Sequence, residues 1–258
     1  MLKLLVTAFG LRFSLRTLLL ATTLLCVSLG RQVEQASRRL EAISRIEALG
    51  GTCYLRHEVN WEPETGSCSF HICNLSADAF RSKPAQTRSL RLQDILDGGA
   101  QLRPDVVFLG GTAVSDEDVQ LIASLGTVRI LGLSDTKIGP NGFAALKSMH
   151  SLCALNLSNT AVSNDDLRSL SGCTNLVTLE INQTEIDENG LKHLPHESLR
   201  RLGMWRTLIT DDGLEELLRF GQLQSYVVGS VRKSETSRES FRTKLNARVE
   251  LLTAFFWR

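Results

Sequence analysis

Five threonines, Thr112, Thr136, Thr160, Thr184 and Thr207, recur at spacings of 24, 24, 24 and 23 residues. An apolar pattern travels with them. In the middle copy Leu152, Leu155 and Leu157 precede Thr160, and Val162, Leu167 and Leu170 follow it. The flanking copies read Val128, Leu131, Leu133, Ile138, Phe143, Leu146; Leu176, Leu179, Ile181, Ile186, Leu191, Leu194; and Leu199, Leu202, Met204, Ile209, Leu214, Leu217. An earlier copy (Val107, Leu109, Val114, Val119) is degenerate, with Pro104 where its first leucine should be, and a later one fades after Leu223, Tyr226 and Val228. A fixed period of this length restricts the chain to a solenoid. The few apolar side chains of one repeat cannot offset the ordering of its backbone, so neighbours must share their core.

Each repeat reads as a short strand, a turn and a short helix. Period-2 apolar positions put Leu155 and Leu157 on one strand face, turned inward. After each threonine, Ser115, Ser163, Asp187 and Thr210 occupy one register position, and each residue type caps a helix N-terminus well. Acids follow: Asp116, Glu117 and Asp118; Asp165 and Asp166; Glu188; Asp211 and Asp212. They suit the positive end of a helix dipole. One repeat has Gly139 and Pro140 instead, and proline fits the first helical position. The threonines themselves read as structural, their hydroxyls bonding the turn backbone.

The flanks divide into four further segments. Residues 1–30 are expected to be a retained transmembrane anchor, because Phe13–Gly30 is mostly apolar and carries no charge apart from Arg16. The alternative is a secretory signal peptide, with Lys3, Arg12 and Arg16 ahead of a short apolar core. The expected orientation places the solenoid outside the cytoplasm. Residues 31–50 read as an amphipathic juxtamembrane helix with Val33, Ala36, Leu40, Ile43 and Ala48 on its apolar face and Gly50–Gly51 as its stop. Residues 51–103 are expected to cap the first repeat, with strands over Thr52–Val59 and Ser69–Leu75 and a helix over Leu90–Leu96. Repeats occupy 104–230. Residues 231–258 supply the second cap, including a strand over Arg248–Phe256.

The pattern L-x-x-L-x-L-x-x-T-x-[IV]-[ST]-D-x-G-L-x-x-L, closest in Leu199–Leu217 (LRRLGMWRTLITDDGLEEL), resembles bacterial leucine-rich repeats. The opening Phe13–Gly30, a helix and then GGTCYL, is similar to short membrane-anchored leucine-rich-repeat proteins of bacteria. The resemblance implies an α/β leucine-rich-repeat solenoid, with parallel strands on a concave face, short helices on a convex face and an N-terminal transmembrane helix. It implies a scaffold for protein–protein contact and no reaction.

Function is therefore sought on the concave strand face. Six strands at about 4.8 Å give a surface roughly 24 Å long, suited to a peptide or small domain. Asn156, Glu180, Asn182, Arg201 and Trp205 are the candidate contact residues, Arg and Trp being enriched where binding energy concentrates. The opposing reading has Trp205 stacked on Arg206 or Arg201, covering the strand. No cofactor is expected. A net charge of +1 without a basic stripe argues against nucleic acid. The six cysteines lack a paired C-x-x-C spacing, so zinc is disfavoured. Cys53, Cys68 and Cys73 cluster in the cap region, where a disulfide and free thiols are both open. His193, His196 and Glu197 lack a third metal ligand at suitable spacing. Neither phosphate-cradling motif is present, and no catalysis is expected. The rival readings are a self-assembling envelope protein and a secreted repeat protein released by signal cleavage.

Overall fold

The computed structural model describes residues 15–56, 89, 91–97, 100–228 and 250–251. The chain is an α/β fold built on one eight-stranded, mostly parallel sheet, consistent with a leucine-rich-repeat solenoid. Strands follow in chain order: β1 (Thr52–Leu55), β2 (Pro104–Phe108), β3 (Ile130–Gly132), β4 (Ala154–Asn156), β5 (Thr178–Glu180), β6 (Arg201–Met204), β7 (Ser225–Val228) and β8 (Glu250–Leu251). Among the described strands only β1 runs antiparallel, against β2. The register is regular across the array: Leu131, Leu155, Leu179 and Leu202 are neighbours in successive strands. With Val107, Leu109, Leu133, Leu157 and Ile181 they form a continuous core, none more than 1% exposed.

The recurring threonine closes each strand. Its hydroxyl donates to the carbonyl three residues back: Thr112 to Leu109, Thr136 to Leu133, Thr160 to Leu157, Thr184 to Ile181 and Thr207 to Met204, at 2.6–2.8 Å. The residue before it adopts a left-handed backbone in every repeat: Gly111 (φ 70°), Asp135 (57°), Asn159 (53°), Gln183 (56°) and Arg206 (56°). That conformation reverses the chain out of the strand, and the hydroxyl satisfies a carbonyl that the ladder has left behind.

The N-caps fall where the sequence places them. Ser115 opens α3 (Asp116–Ser124) in a reciprocal capping box with Asp118. Ser163 and Asp166 exchange the same bonds. Asp187 accepts from the Asn189 amide at 2.7 Å, and Thr210 from the Gly213 amide at 3.3 Å. Gly139 and Pro140 start α4 (Pro140–Ala145). The segments after Asp187 and Thr210 are α5 (Glu188–Leu191) and α6 (Asp211–Glu216). The middle repeat departs from expectation: Asp166–Gly172 is a 3₁₀ helix rather than an α-helix.

Neighbouring repeats are keyed on this side. A Cβ on Gly142 would lie 2.7 Å from an Asp116 carboxylate oxygen, one on Gly190 2.5 Å from Asn164 Oδ1, and one on Gly213 2.9 Å from Glu188 Cβ. Each glycine makes room for a side chain of the preceding repeat. Asp116 also accepts from the Gly139 amide at 2.6 Å, and Asn164 from the Asp187 amide at 3.2 Å.

The first repeat is covered by α1 (Leu15–Ala48) and β1, with the short helix α2 (Leu92–Leu96) packed beside α1. Helix α1 is continuous through the boundary expected at residue 30. At 34 residues it is about 51 Å long. Its buried face is Ala36, Ala42, Ile43 and Ile46, with Leu40 half-buried; Val33 and Ala48, expected on that face, are exposed. The face is displaced because α1 packs on β1, β2 and α3 as well as α2. Arg45 locks it in place: Nε and Nη2 donate to the two carboxylate oxygens of buried Asp118 at 2.5 and 3.1 Å. The guanidinium, together with Ser115, holds Asp118 below the usual carboxylate range.

No helix among the described residues is long and apolar enough to cross a membrane. Residues 1–14, the strand expected over Ser69–Leu75 with Cys68 and Cys73, and most of the second cap lie outside the described residues. Of that cap, Glu250–Leu251 pairs parallel with β7.

Candidate protein-binding surface

Outward-turned strand residues form rows across the sheet. The first is Val106, Ile130, Ala154, Thr178, Arg201, Ser225; the second is Phe108, Gly132, Asn156, Glu180, Gly203, Val227. Neither row is an open surface over its first four repeats. Val106, Ile130, Ala154 and Thr178 are at most 2% exposed, and Phe108, Asn156 and Glu180 are 5% exposed. Tyr54 of β1 joins Val106, Phe108, Ile130 and Ala154 in a second apolar cluster, its ring edge-on to Phe108 at 6.3 Å between centroids. The concave face of the early repeats is a second core layer, where the sequence reading expects solvent.

The surface opens at the third row, where the strands end. Ser134, Ser158, Asn182 and Trp205 are half-buried there, and the left-handed residues Asp135, Asn159, Gln183 and Arg206 beyond them are exposed. The two rows are tied together by side chains. Asn156 Oδ1 accepts from the Ser158 amide at 2.9 Å. Asn182 Nδ2 donates to Glu180 Oε2 at 2.7 Å and to Ser158 Oγ at 3.3 Å. Asn182 Oδ1 accepts from the Trp205 amide at 2.8 Å. Glu180 fits because its strand neighbour is glycine: a Cβ on Gly203 would lie 1.7 Å from Glu180 Oε2. One turn further out, Asn159 Nδ2 donates to Asp135 Oδ1 at 2.6 Å.

Four of the five candidate residues thus belong to one hydrogen-bonded unit. Within it Asn156 and Glu180 are buried supports, and Asn182 and Trp205 reach the surface. Arg201 stands one row earlier, in register with Thr178, and is half-buried. The Arg206 guanidinium carbon lies 4.2 Å from the Trp205 ring centroid, the stacking that the opposing reading anticipates. Leu208, 61% exposed, stands two residues beyond. The candidate set omits both Arg206 and Leu208. The signal for them was available: they flank the repeat threonine Thr207.

Other clusters are weaker. A shallow depression of about 500 Å³ is lined by Arg168, Lys192, His193, His196 and Glu197 among others. Arg168 Nε donates to His193 Nε2 at 3.3 Å, and the His196 ring stands edge-on to Phe220. Among the described residues no group of three His, Cys, Asp or Glu side chains could hold a metal ion. Cys173 is a buried free thiol, Cys53 is buried, Cys153 is half-buried and Cys26 exposed. Burial pushes the Cys173 thiol up to about 11, which keeps it in the unreactive form.

No family model matches the sequence, and no curated protein does. Among solved structures, the chain is similar to a leucine-rich-repeat protein of Leptospira interrogans, at 17% identity over 52% of this chain, with a TM-score of 0.39. The match spans 33% of that protein.

Proposed function

We propose that this protein is a leucine-rich-repeat scaffold that binds another protein or a peptide along the strand-end edge of its sheet. Asn182 and Trp205 are the contact residues at that edge, with Asn156 and Glu180 fixing them from beneath, and Arg201, in the first row, extends the contact onto the strand face. The observation that carries this reading is the ladder linking Asn156, Ser158, Glu180, Asn182 and Trp205, which presents side chains from successive repeats on a rigid backbone. Pre-ordered groups lose little entropy on binding. A photo-crosslinking residue at position 182, introduced into the full chain, should capture a protein partner. Capture should disappear when Arg201 and Trp205 are changed to alanine. A partner retained by that variant refutes the patch, and capture of a second copy alone favours the self-assembling reading.

The same proposal holds the protein at a membrane through the first half of α1, with the repeat domain outside the cytoplasm. Leu18, Leu19, Leu20, Leu24, Leu25 and Val27 are 46–69% exposed. At 100° per residue they point to every side of the helix, which suits a lipid environment better than a single partner helix. Carbonate-washed membranes should retain the full chain. Release into the supernatant would refute the anchor.

A further inference from the structure

We propose that Trp205, Arg206 and Leu208 form an anchor for a protein segment that presents a carboxylate beside an apolar side chain. The inference rests on the protein-binding reading and supplies the partner's chemistry.

Arg206 occupies the left-handed position that Gly111, Asp135, Asn159 and Gln183 hold in earlier repeats. Glycine, Asp and Asn tolerate that conformation best, and the last two repeats place a long polar side chain there instead. The backbone therefore fixes where the Arg206 side chain starts, and stacking at 4.2 Å over Trp205 fixes where it ends. Trp205 is itself held by its amide bond to Asn182. Leu208 is pinned by its own amide, which donates to the Ile186 carbonyl at 2.9 Å, yet its side chain is 61% exposed. Three large side chains thus project from a backbone held on both sides of Thr207 by hydrogen bonds to the preceding repeat.

Some arginines of the chain pair with a carboxylate, Arg45 with Asp118 and Arg129 with Asp105 among them. Arg206 pairs with no carboxylate among the described residues, and its one recorded contact is the Trp205 ring. A planar guanidinium laid on an aromatic ring still offers its edge to a carboxylate in two parallel hydrogen bonds. The exposed leucine beside it asks for an apolar neighbour of that carboxylate. A polyanion fits poorly, because exposed Glu185 holds in the preceding repeat the position that Leu208 holds here, and exposed Asp135 lies along the same edge. One acid flanked by an apolar residue avoids both.

The test is selection of a phage-displayed random dodecapeptide library on the full chain in mild detergent, followed by binding of the leading synthetic peptide to variants. Enriched peptides should share an Asp or Glu next to an aliphatic or aromatic residue. Arg206→Gln should weaken the leading peptide at least tenfold, as should changing the peptide's acid to its amide. Arg206→Lys should restore part of the loss, and Leu208→Ser should weaken binding about as much. Both side chains replaced are exposed, so unfolding midpoints should match the parent and exclude misfolding. Enriched peptides without a shared acid, or binding unchanged by Arg206→Gln, would overturn the anchor while leaving a binding protein. Absence of any enriched peptide would also overturn it, and the crosslinking at position 182 then decides separately whether a partner exists.

Discussion

Gly203→Ala tests the core of the candidate surface. The added methyl would fall 1.7 Å from Glu180 Oε2 and 2.6 Å from its carboxyl carbon, well inside contact distance. Glu180 is 5% exposed and cannot simply swing into water. If the carboxylate moves, the 2.7 Å bond from Asn182 is lost, and with it the support for the Trp205 amide. If the backbone moves instead, the bond from the Ile181 amide to the Gly203 carbonyl, 2.8 Å, is strained. A lost hydrogen bond to a charged group costs about 1.5–3 kcal/mol, and overpacking a filled site costs about 1–3 kcal/mol. The sum, about 2.5–6 kcal/mol, corresponds to a fall in Tm of roughly 5–24 °C for a chain of this size. Thermal and urea unfolding of Gly203→Ala, Glu180→Ala and the double variant form the assay. Removing the carboxylate removes the clash, so the double variant should be more stable than the two single losses added together, by about 1–3 kcal/mol. Additive losses, or a Gly203→Ala protein within about 0.5 kcal/mol of the parent, would refute the proposed contact.

Other outcomes follow from the same geometry. Thr160→Val, which keeps shape and removes the 2.6 Å bond to the Leu157 carbonyl, should lower stability by about 1 kcal/mol in urea unfolding. Asp118→Asn should be destabilised near neutral pH. Because the folded-state pKa of Asp118 is depressed, its contribution is present above the unfolded value and is lost as pH falls through the folded one. The gap between parent and variant urea midpoints should therefore close below about pH 4, and a gap independent of pH would contradict the Arg45 lock. Cys173 should resist alkylation at pH 8 in the native protein and react after denaturation, read by mass spectrometry.

Much of the array was legible because its determinants are local. A left-handed residue, a threonine and a capping residue within four positions define each turn, and Ser115, Ser163, Asp187 and Thr210 all cap as their residue types require. What was not legible depends on contacts between distant segments. Alternation places Val106, Ile130 and Ala154 on the concave face, but nothing local says that this face is covered. Burial of Tyr54 against Phe108 joins residues 54 apart in sequence. The buried face of α1 failed likewise at Val33 and Ala48, since its packing partners lie beyond residue 50. Arg206 was passed over because stacking on Trp205 reads, in one dimension, as a reason to dismiss it.

The glycines that admit Asp116, Asn164 and Glu188 give the array a direction and an order. Asp118 and Asp166 occupy, in the first and third repeats, the position that Gly142, Gly190 and Gly213 occupy in the others. A repeat carrying the acid cannot accept the side chain its glycine counterparts accept. Asp118 meets Arg45 of α1, so the helix is matched to the first repeat and to no glycine-bearing one. The modules are consequently not interchangeable. Duplicating Thr160–Gln183 in tandem would set Asn164 of one copy against Asp166 of the next, whereas duplicating Thr184–Arg206 would set Glu188 against Gly190. Growth of this array by recombination is open at some joints and closed at others, and the pattern of glycine and aspartate along the chain marks which.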